Sequence, residues 1–226
     1  MTTVSLPLNQ QQEKIPAERE QHFVFRSVDW STYSALQQAL GERHLRLAFD
    51  GENLEIMTVS LLHDFLSRLL GRFLVVLTEE LGLPLRSAGS VTLDREQINR
   101  GLEPDECFYI IHEPLVRGKE ELDLERDPPP DLGMEIDVSR SSLNRLAIYA
   151  ALKVPEVWHY DGENLFIYQL DALGRYQLSN RSKYFPMVPM EAILEFLARR
   201  NEMDENSLVK LFRVWVKDQI AKEWKE

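Results

Sequence analysis

The stretch DPPPDLGMEIDVSRSS, residues 127–142, places acidic residues at alternate positions of an apolar strand. Successive side chains of a β-strand point to opposite faces of the sheet. One face therefore carries the carboxylates of Asp131, Glu135 and Asp137. The other face carries the apolar residues Leu132, Met134, Ile136 and Val138. Carboxylates on one face repel each other when no cation accompanies them, so the pattern predicts a compensating metal ion.

The composition is that of an ordinary globular protein. The chain has 226 residues, of which 44% are hydrophobic and 28% are charged, and this length favours one large domain or two small ones. No repeat, low-complexity linker or other boundary divides it. We therefore expect a polar N-terminal tail over residues 1–22 and a single domain over residues 23–226.

Several features favour a location in the cytoplasm. Cys107 is the only cysteine, so an internal disulfide is excluded and a reducing compartment fits. No apolar run approaches the roughly 18 residues that a membrane span needs. The N-terminus has no apolar segment of the signal-peptide type. We expect a cytoplasmic protein that does not associate with a membrane.

The net charge of −11 limits the partners that the surface can bind. A broad, non-specific phosphate-binding surface would require an excess of basic residues. A local basic groove or an acidic site filled by a metal ion is compatible with this total. The charge therefore argues against tight non-specific DNA binding and leaves a local nucleic-acid site open.

The pattern of apolar residues and caps predicts a mixed α/β fold. A helix over 27–41 has Ser27 or Asp29 as its cap and Gly41 as its end, and a hairpin follows before a long helix over 60–82. We expect further strands in LRSAGSVTL, DECFYII, DLGMEIDVS, VPEVWHYDGENLFIYQLD and RYQLSNRS, and further helices over 141–152, 190–200 and 204–224. This order predicts a mixed central β-sheet flanked by helices.

Two of these strands bring acidic residues together. Asp105 opens the strand in LEPDECFYII, residues 102–111, and Glu135 and Asp137 follow 30 and 32 residues later. The intervening segment is polar and rich in proline, so it can form a loop that lets the two strands pair. Asp105 and Glu135 would then face each other across a cleft. Two or three carboxylates with open water positions suit Mg²⁺ or Mn²⁺, and such an ion can hydrolyse phosphodiesters.

The helix that follows adds a cation to this group. Arg145 lies within an apolar arc of a helix that is apolar on both sides, and such a helix is usually buried on both. A partly buried arginine needs an anionic partner, for which Glu135 and Asp137 are the candidates. Arg145 can be a structural ion pair or a catalytic residue. Asp137 can be a third metal ligand or the partner of Arg145.

Two residues earlier in the chain are further candidates. His63 lies on the long helix and is either a histidine at the edge of the core or a residue lining the site. Glu55 lies in the strand LEIM between apolar neighbours. Its side chain points either into the same cleft or into solvent.

Four segments together resemble the Uma family of restriction endonucleases, which belongs to the PD-(D/E)XK nuclease superfamily. They are GENLEIMTVSLLHDFL at 51–66, PDE at 104–106, PDLGMEIDVSRSS at 130–142 and NRLAIYAALKVPEVWHYDG at 144–162. The similarity covers nearly the whole chain, from about residue 25 to residue 218. The order of the segments is more specific than any one of them, since Pro-Asp dipeptides are common.

The resemblance implies a restriction-endonuclease-like core with Asp105 and Glu135 as metal ligands, and a histidine at the position of His63. The superfamily pattern has a lysine two residues after the second acid, where this chain has Asp137. In the family a lysine on the next helix often replaces it, and there this chain has Arg145. Arginine does not readily release a proton. Arg145 could therefore orient a water or stabilise charge on the phosphate, while activation of the water is left to the metal.

Three functions follow from these observations. The first is a metal-dependent DNA endonuclease that uses Mg²⁺ or Mn²⁺. The second is a catalytically weakened protein of the same fold that acts as a binding or assembly module, which the missing lysine and the negative charge favour. The third is a metal-dependent hydrolase that acts on a small substrate other than DNA.

The C-terminal helix predicts a homodimer. Its apolar stripe is wider than docking on one edge of a sheet requires, and a nuclease that cuts both strands of a duplex needs two active sites, which two-fold symmetry supplies. The alternative is that the helix packs back on its own domain.

Overall fold

The structure is a computed structural model that describes residues 20–41, 43–138 and 143–223. Most of the predicted N-terminal tail, residues 1–19, lies outside the described residues. So do the first two residues of the helix predicted over 141–152. Three residues assigned to the tail are described: Glu20, which contacts His63, Gln21, whose N–H donates to Thr58, and His22, which begins a strand.

A six-stranded sheet forms the centre of the molecule. Its strands are β4 (Arg86–Ser87), β7 (Glu106–Tyr109), β8 (Leu132–Ile136), β9 (Glu156–Tyr160), β10 (Leu165–Leu170) and β11 (Tyr176–Ser179). Their order across the sheet is β11-β10-β9-β8-β7-β4. Strands β8 and β9 are parallel and the other neighbours are antiparallel. The predicted mixed sheet is therefore confirmed. Every residue of β8 is buried, as expected for a strand covered on both faces.

A second sheet, which the sequence did not predict, has five antiparallel strands. They are β1 (His22–Phe25), β2 (Leu45–Phe49), β3 (Leu54–Thr58), β5 (Leu93–Arg95) and β6 (Arg100–Leu102). Their order across the sheet is β1-β3-β2-β6-β5. Only the hairpin β2–β3 was expected here as a paired unit. The additional strands have three or four residues each, which is too short to show a clear alternation of apolar and polar positions.

The long helices begin and end where the sequence predicts. Asp29 caps the first helix and Gly41 follows its end, while Ser60 caps the second and Gly82 closes it in the left-handed conformation. The helices are α1 (Trp30–Leu40), α2 (Leu61–Leu81), α3 (Glu113–Val116), α4 (Arg145–Ala151), α5 (Met190–Ala198) and α6 (Glu205–Glu223). The single-turn helix α3 was not predicted.

Helix α4 lies between the two sheets. Ile148 and Tyr149 are fully buried in a cluster that includes Ala48 and Leu102 of the five-stranded sheet and Val157 of the six-stranded sheet. The apolar arcs on both sides of this helix are therefore explained by burial on both sides. Arg145, its first residue, is carried into the interface between the sheets.

Helix α6 packs on α2 of the same chain. Phe212 and Phe73 are fully buried, with ring centroids 4.4 Å apart, and Arg213 pairs with Glu79 and Glu80 at the end of α2. The apolar stripe that led us to expect a homodimer is therefore used within the chain, and it no longer supports a dimer.

Among the described residues, no helix combines the length and the apolar composition that crossing a lipid bilayer requires.

Candidate functional site

The two predicted acidic strands are neighbours. Strand β7 runs antiparallel to β8 with Glu106 opposite Met134, and one further step of this register sets Asp105 opposite Glu135. Both carboxylates are buried, with residue exposures of 3% and 7%. Asp105 Oδ2 also accepts a hydrogen bond of 2.7 Å from the backbone N–H of Ile136. The loop between the strands thus places the two carboxylates side by side on one face of the sheet, as the sequence predicted.

His63, in the first turn of α2, contacts the carboxylate of Asp105. Its Nε2 atom lies 2.7 Å from Asp105 Oδ1, and its Nδ1 atom lies 2.9 Å from Glu20 Oε1. Burial opposes the charged imidazolium, but ion pairing with Asp105 and Glu20 raises the pKa of His63 to about 10. The two acidic neighbours therefore favour the imidazolium over the neutral ring. His63 is fully buried and lies beside Asp105, and its part in the function stays a prediction.

Arg145 contacts both carboxylate oxygens of Glu135. Its Nε lies 2.7 Å from Oε2 and its Nη2 lies 3.1 Å from Oε1, while Nη2 also donates to the backbone carbonyl of Glu103 at 2.7 Å. Burial raises the pKa of Glu135, and the guanidinium of Arg145 opposes this shift. The carboxylate partner of Arg145 is therefore Glu135, one of the two candidates that the sequence predicted.

Tyr149, one turn further along α4, fixes Glu135 from a second direction. Its hydroxyl donates to Glu135 Oε1, and burial raises the pKa of this phenol well above its usual value, so it remains a donor. The ring lies against Gly133, where a Cβ atom would be only 2.8 Å from Tyr149 Cε1. Gly133 is the residue that allows this close approach.

The expectation of uncompensated carboxylates on β8 is wrong. Glu135 has Arg145 and Tyr149 as partners. Asp131 accepts hydrogen bonds from the backbone N–H groups of Ile110 and His112 and pairs with the His112 ring at 2.8 Å. The cations come from segments outside the strand, namely Arg145 on the next helix and His112 after the preceding strand, so the strand alone does not show them. Asp131 has a structural role at the far end of β8.

Asp137 lies just beyond β8, beside a pocket that adjoins the site. Its Oδ2 atom is 3.6 Å from Nε2 of His159, and His159 is aligned with Glu135 across the parallel strands β8 and β9. Interaction with Asp137 raises the pKa of His159, although burial opposes the shift. The pocket has a volume of about 170 Å³ and is lined by Glu135, Asp137, Arg145 and His159, among others. The pairing found for Asp137 is with this histidine, whereas Arg145 pairs with Glu135.

Glu55 is buried, with 1% exposure, on β3 of the five-stranded sheet. Its Oε1 atom lies 3.2 Å from Nδ1 of His22, on the neighbouring strand β1. Of the two alternatives for this side chain, exposure to solvent is therefore excluded. His22 lies two residues from Glu20, the partner of His63, so Glu55 belongs to the same buried polar region.

Sequence reasoning missed four residues of this site: Glu20, Arg46, Tyr149 and His159. Glu20 was assigned to a mobile tail, and Arg46, whose Nε is 3.6 Å from Asp105 Oδ1, looked like an ordinary strand residue. His159 gave no signal of its own. Tyr149 has a spacing of four residues from Arg145, which places both on one helix face, but an aromatic residue on an apolar helix gives no sign of a polar role.

The donor atoms of the site limit the kind of divalent metal that it could hold. Within residues 20–41, 43–138 and 143–223, no group of three or more His, Cys, Asp or Glu side chains is arranged as a metal site. Mg²⁺, however, is usually held by one or two carboxylates together with water and substrate phosphate. Asp105 Oδ1 is buried and, among the described residues, accepts no well-directed hydrogen bond, although His63 and Arg46 lie within 4 Å. The pair of Asp105 and Glu135 therefore fits such an ion, with Glu135 shared with Arg145.

The mixed sheet flanked by helices, with opposed buried carboxylates on adjacent strands, is the architecture of a restriction-endonuclease-like fold. The model of the Uma2 family, whose description reads "Putative restriction endonuclease", matches residues 30–199. The chain belongs to the Uma2 family. No curated protein matches it.

Proposed function

We propose that the protein is a divalent-metal-dependent DNA endonuclease that hydrolyses phosphodiester bonds. The observation that carries the proposal is the register of β7 and β8, which sets the buried carboxylate of Asp105 opposite that of Glu135. Membership in a family of restriction endonucleases supports a nuclease, and families of this fold generally use divalent metals.

Asp105 and Glu135 would hold Mg²⁺ or Mn²⁺, with Asp137 as a predicted third ligand. When bound, such an ion supplies Lewis-acid activation of the scissile phosphate and of the attacking water. Asp105 is oriented for this task by the N–H of Ile136, and Glu135 is oriented by the hydroxyl of Tyr149. Both ligands are therefore preorganised by protein hydrogen bonds.

Arg145 would act on the phosphate as a fixed cation. Its guanidinium is held between Glu135 and the carbonyl of Glu103, and its pKa is raised further above the usual range, because interaction with Glu135 outweighs burial. It cannot serve as a general base. A fixed guanidinium can stabilise the negative charge that grows on the phosphate oxygens in the transition state.

Cleavage of supercoiled plasmid with Mg²⁺ or Mn²⁺ tests the proposal. We expect nicked or linear products with the wild type, none with chelator and none with Asp105→Ala. Asp218→Ala is the matched control, because Asp218 is an exposed carboxylate on α6, and it should cleave like the wild type. Equal cleavage by Asp105→Ala would identify a contaminating nuclease. No cleavage by the wild type with either metal would refute the proposal.

The second candidate is a nuclease-fold protein that binds DNA or assembles without cutting. Asp137 stands where the superfamily pattern has a lysine, and Arg145 stands where the family often replaces it. Arg145 also contacts both carboxylate oxygens of Glu135. This candidate predicts duplex binding without cleavage at any metal concentration, so a binding assay run beside the plasmid assay separates the two.

The homodimer is retained as part of the proposal for the nuclease, since cutting both strands of a duplex calls for two active sites. Light scattering at micromolar concentration decides it. A mass near 26.4 kDa indicates a monomer, and twice that mass indicates the dimer. The cytoplasmic location likewise stays a prediction.

A further inference from the structure

A large groove adjoins the site on the side of Arg46. Its volume is about 1140 Å³, and its walls come from the end of α1, the start of β2, the first turns of α2 and the segment 88–92. Arg46 and Glu103 line its inner end. Arg46 also lies 3.6 Å from Asp105, and the carbonyl of Glu103 accepts from Arg145. The inner end of the groove therefore lies next to the carboxylate pair, with Arg46 between the groove and Asp105.

Two arginines in this groove form no ion pair within 4 Å with a residue that the structure describes, although the charge of Arg68 opposes the rise that burial causes in the pKa of Glu106. Arg43 and Arg68 are both exposed and line the groove. Of the ion pairs within 4 Å among residues 20–41, 43–138 and 143–223, Arg46 forms one with Asp105 and neither Arg43 nor Arg68 takes part in any. Guanidinium groups with unused donors can bind phosphate at two points.

The charge balance of the groove differs from that of the whole chain. Across the sequence 37 acidic residues outnumber 26 basic ones. Among the described residues that line the groove, three arginines match three acids, Asp64, Glu103 and Glu121, and His44 adds a titratable group. Glu103 is engaged by the N–H of Leu47 at 3.1 Å, and burial raises its pKa. The described lining of the groove is therefore less acidic than the chain as a whole.

We propose that this groove binds the sugar-phosphate backbone of the DNA strand that enters the site, with Arg43 and Arg68 each contacting a phosphate. The inference rests on the proposed function, since it takes DNA as the substrate. The side-chain amides of Gln37 and Gln38 line the same wall and are suited to contacts with phosphate or sugar oxygens. A local groove of this kind reconciles DNA binding with an acidic chain.

The test measures the salt dependence of binding rather than cleavage. Fluorescence anisotropy of a labelled DNA duplex, in chelator and over about 50 to 200 mM salt, gives the slope of log K against log salt. Arg43→Gln and Arg68→Gln should each lower affinity and reduce the slope by about 1, and the double variant by about 2. Arg175→Gln is the matched control, because Arg175 precedes β11 at the opposite edge of the six-stranded sheet from β4. It should leave both quantities unchanged.

The outcomes separate this inference from the proposed function. If the double variant binds with the slope of the wild type, or if the wild type binds no duplex, the groove assignment is overturned, whatever the plasmid assay shows. If the slope falls as expected while the wild type does not cleave plasmid, the groove is supported and the nuclease activity fails. Melting temperatures equal to that of the wild type show that the exposed substitutions leave the fold intact.

Discussion

Arg145 and Glu135 form a two-point ion pair at the buried end of β8, with Nε 2.7 Å from Oε2 and Nη2 3.1 Å from Oε1. The pair joins the first residue of α4 to the six-stranded sheet. Because the same guanidinium donates to the carbonyl of Glu103, it also links α4 to the end of β6. One side chain therefore connects the helix to both sheets.

Glu135→Gln is expected to destabilise the metal-free protein. The change leaves the buried guanidinium of Arg145 without its counter-charge, and breaking one partner of a buried pair costs roughly 3–5 kcal/mol. Urea unfolding in chelator measures this loss. The double variant Glu135→Gln/Arg145→Gln should recover part of it, as a coupled pair requires. An unchanged or higher free energy of unfolding would mean that like-charge repulsion dominates the site.

Gly133→Ala is expected to disturb the site through Tyr149. The added Cβ would lie 2.8 Å from Tyr149 Cε1 and 3.2 Å from its Cζ, and the ring is held by its hydrogen bond to Glu135. We expect a loss of about 1–3 kcal/mol in the free energy of unfolding, as for overpacked cores. Gly71→Ala is the control, since its Cβ would meet Phe108 at an ordinary 3.6 Å. Equal stability of the two variants would contradict the close packing of this ring.

The stability of the metal-free protein should fall as the pH rises from about 6.5 to about 10. The pKa of His63 is raised to about 10 by Asp105 and Glu20 against the opposing effect of burial, whereas an unfolded histidine has a pKa near 6.5. The stabilisation is therefore complete below the unfolded value and lost as the pH passes through the folded value. Melting temperatures in chelator across this range, compared with those of His63→Asn, measure it. Parallel curves for the two proteins would count against an imidazolium in the site.

Glu156→Gln is expected to lower the stability of the protein without affecting the site, because Glu156 lies at the other end of β9 from His159. The buried carboxylate accepts hydrogen bonds from Trp158 Nε1, from the hydroxyl of Ser182 and from the N–H of Lys183. An amide nitrogen in place of one oxygen would face a donor, which costs about 1–3 kcal/mol. Chemical unfolding measures the loss, and the salt slope of DNA binding should stay the same. A slope that changed with this variant would mean that Glu156 is coupled to the groove.

Much of the fold could be predicted because its signals are local. Ser60 and Gly82 mark the ends of α2, and Asp29 and Gly41 mark those of α1, since caps act on the nearest turn. The five-stranded sheet could not be predicted as a whole. Its strand β6 consists of Arg100, Gly101 and Leu102, which show no periodicity and are held in place only by their pairing with β2 and β5.

The residues of the candidate site also divide into those with a local sequence signal and those without one. Asp105 and Glu135 could be predicted because an acidic residue at the start of a strand and another on an apolar strand are visible in sequence, and their meeting needs only that the strands pair. The cations could not be assigned in full. Arg46 precedes Asp105 by 59 positions in the chain and reaches it only because the two sheets meet there, while His159 aligns with Glu135 through a parallel pairing that a sequence does not specify.

The packing of α6 on α2 has a mechanical consequence for the site. His63 and Glu80 occupy opposite ends of α2, about 25 Å apart at the usual helical rise, and Arg213 fixes the Glu80 end. A tilt of the helix about its Glu80 end would therefore be felt most at His63, at the other end. Tilting it by about 5° would move His63 by about 2 Å, more than the contact with Asp105 can absorb. The C-terminal helix thus sets the alignment of a residue that it does not touch.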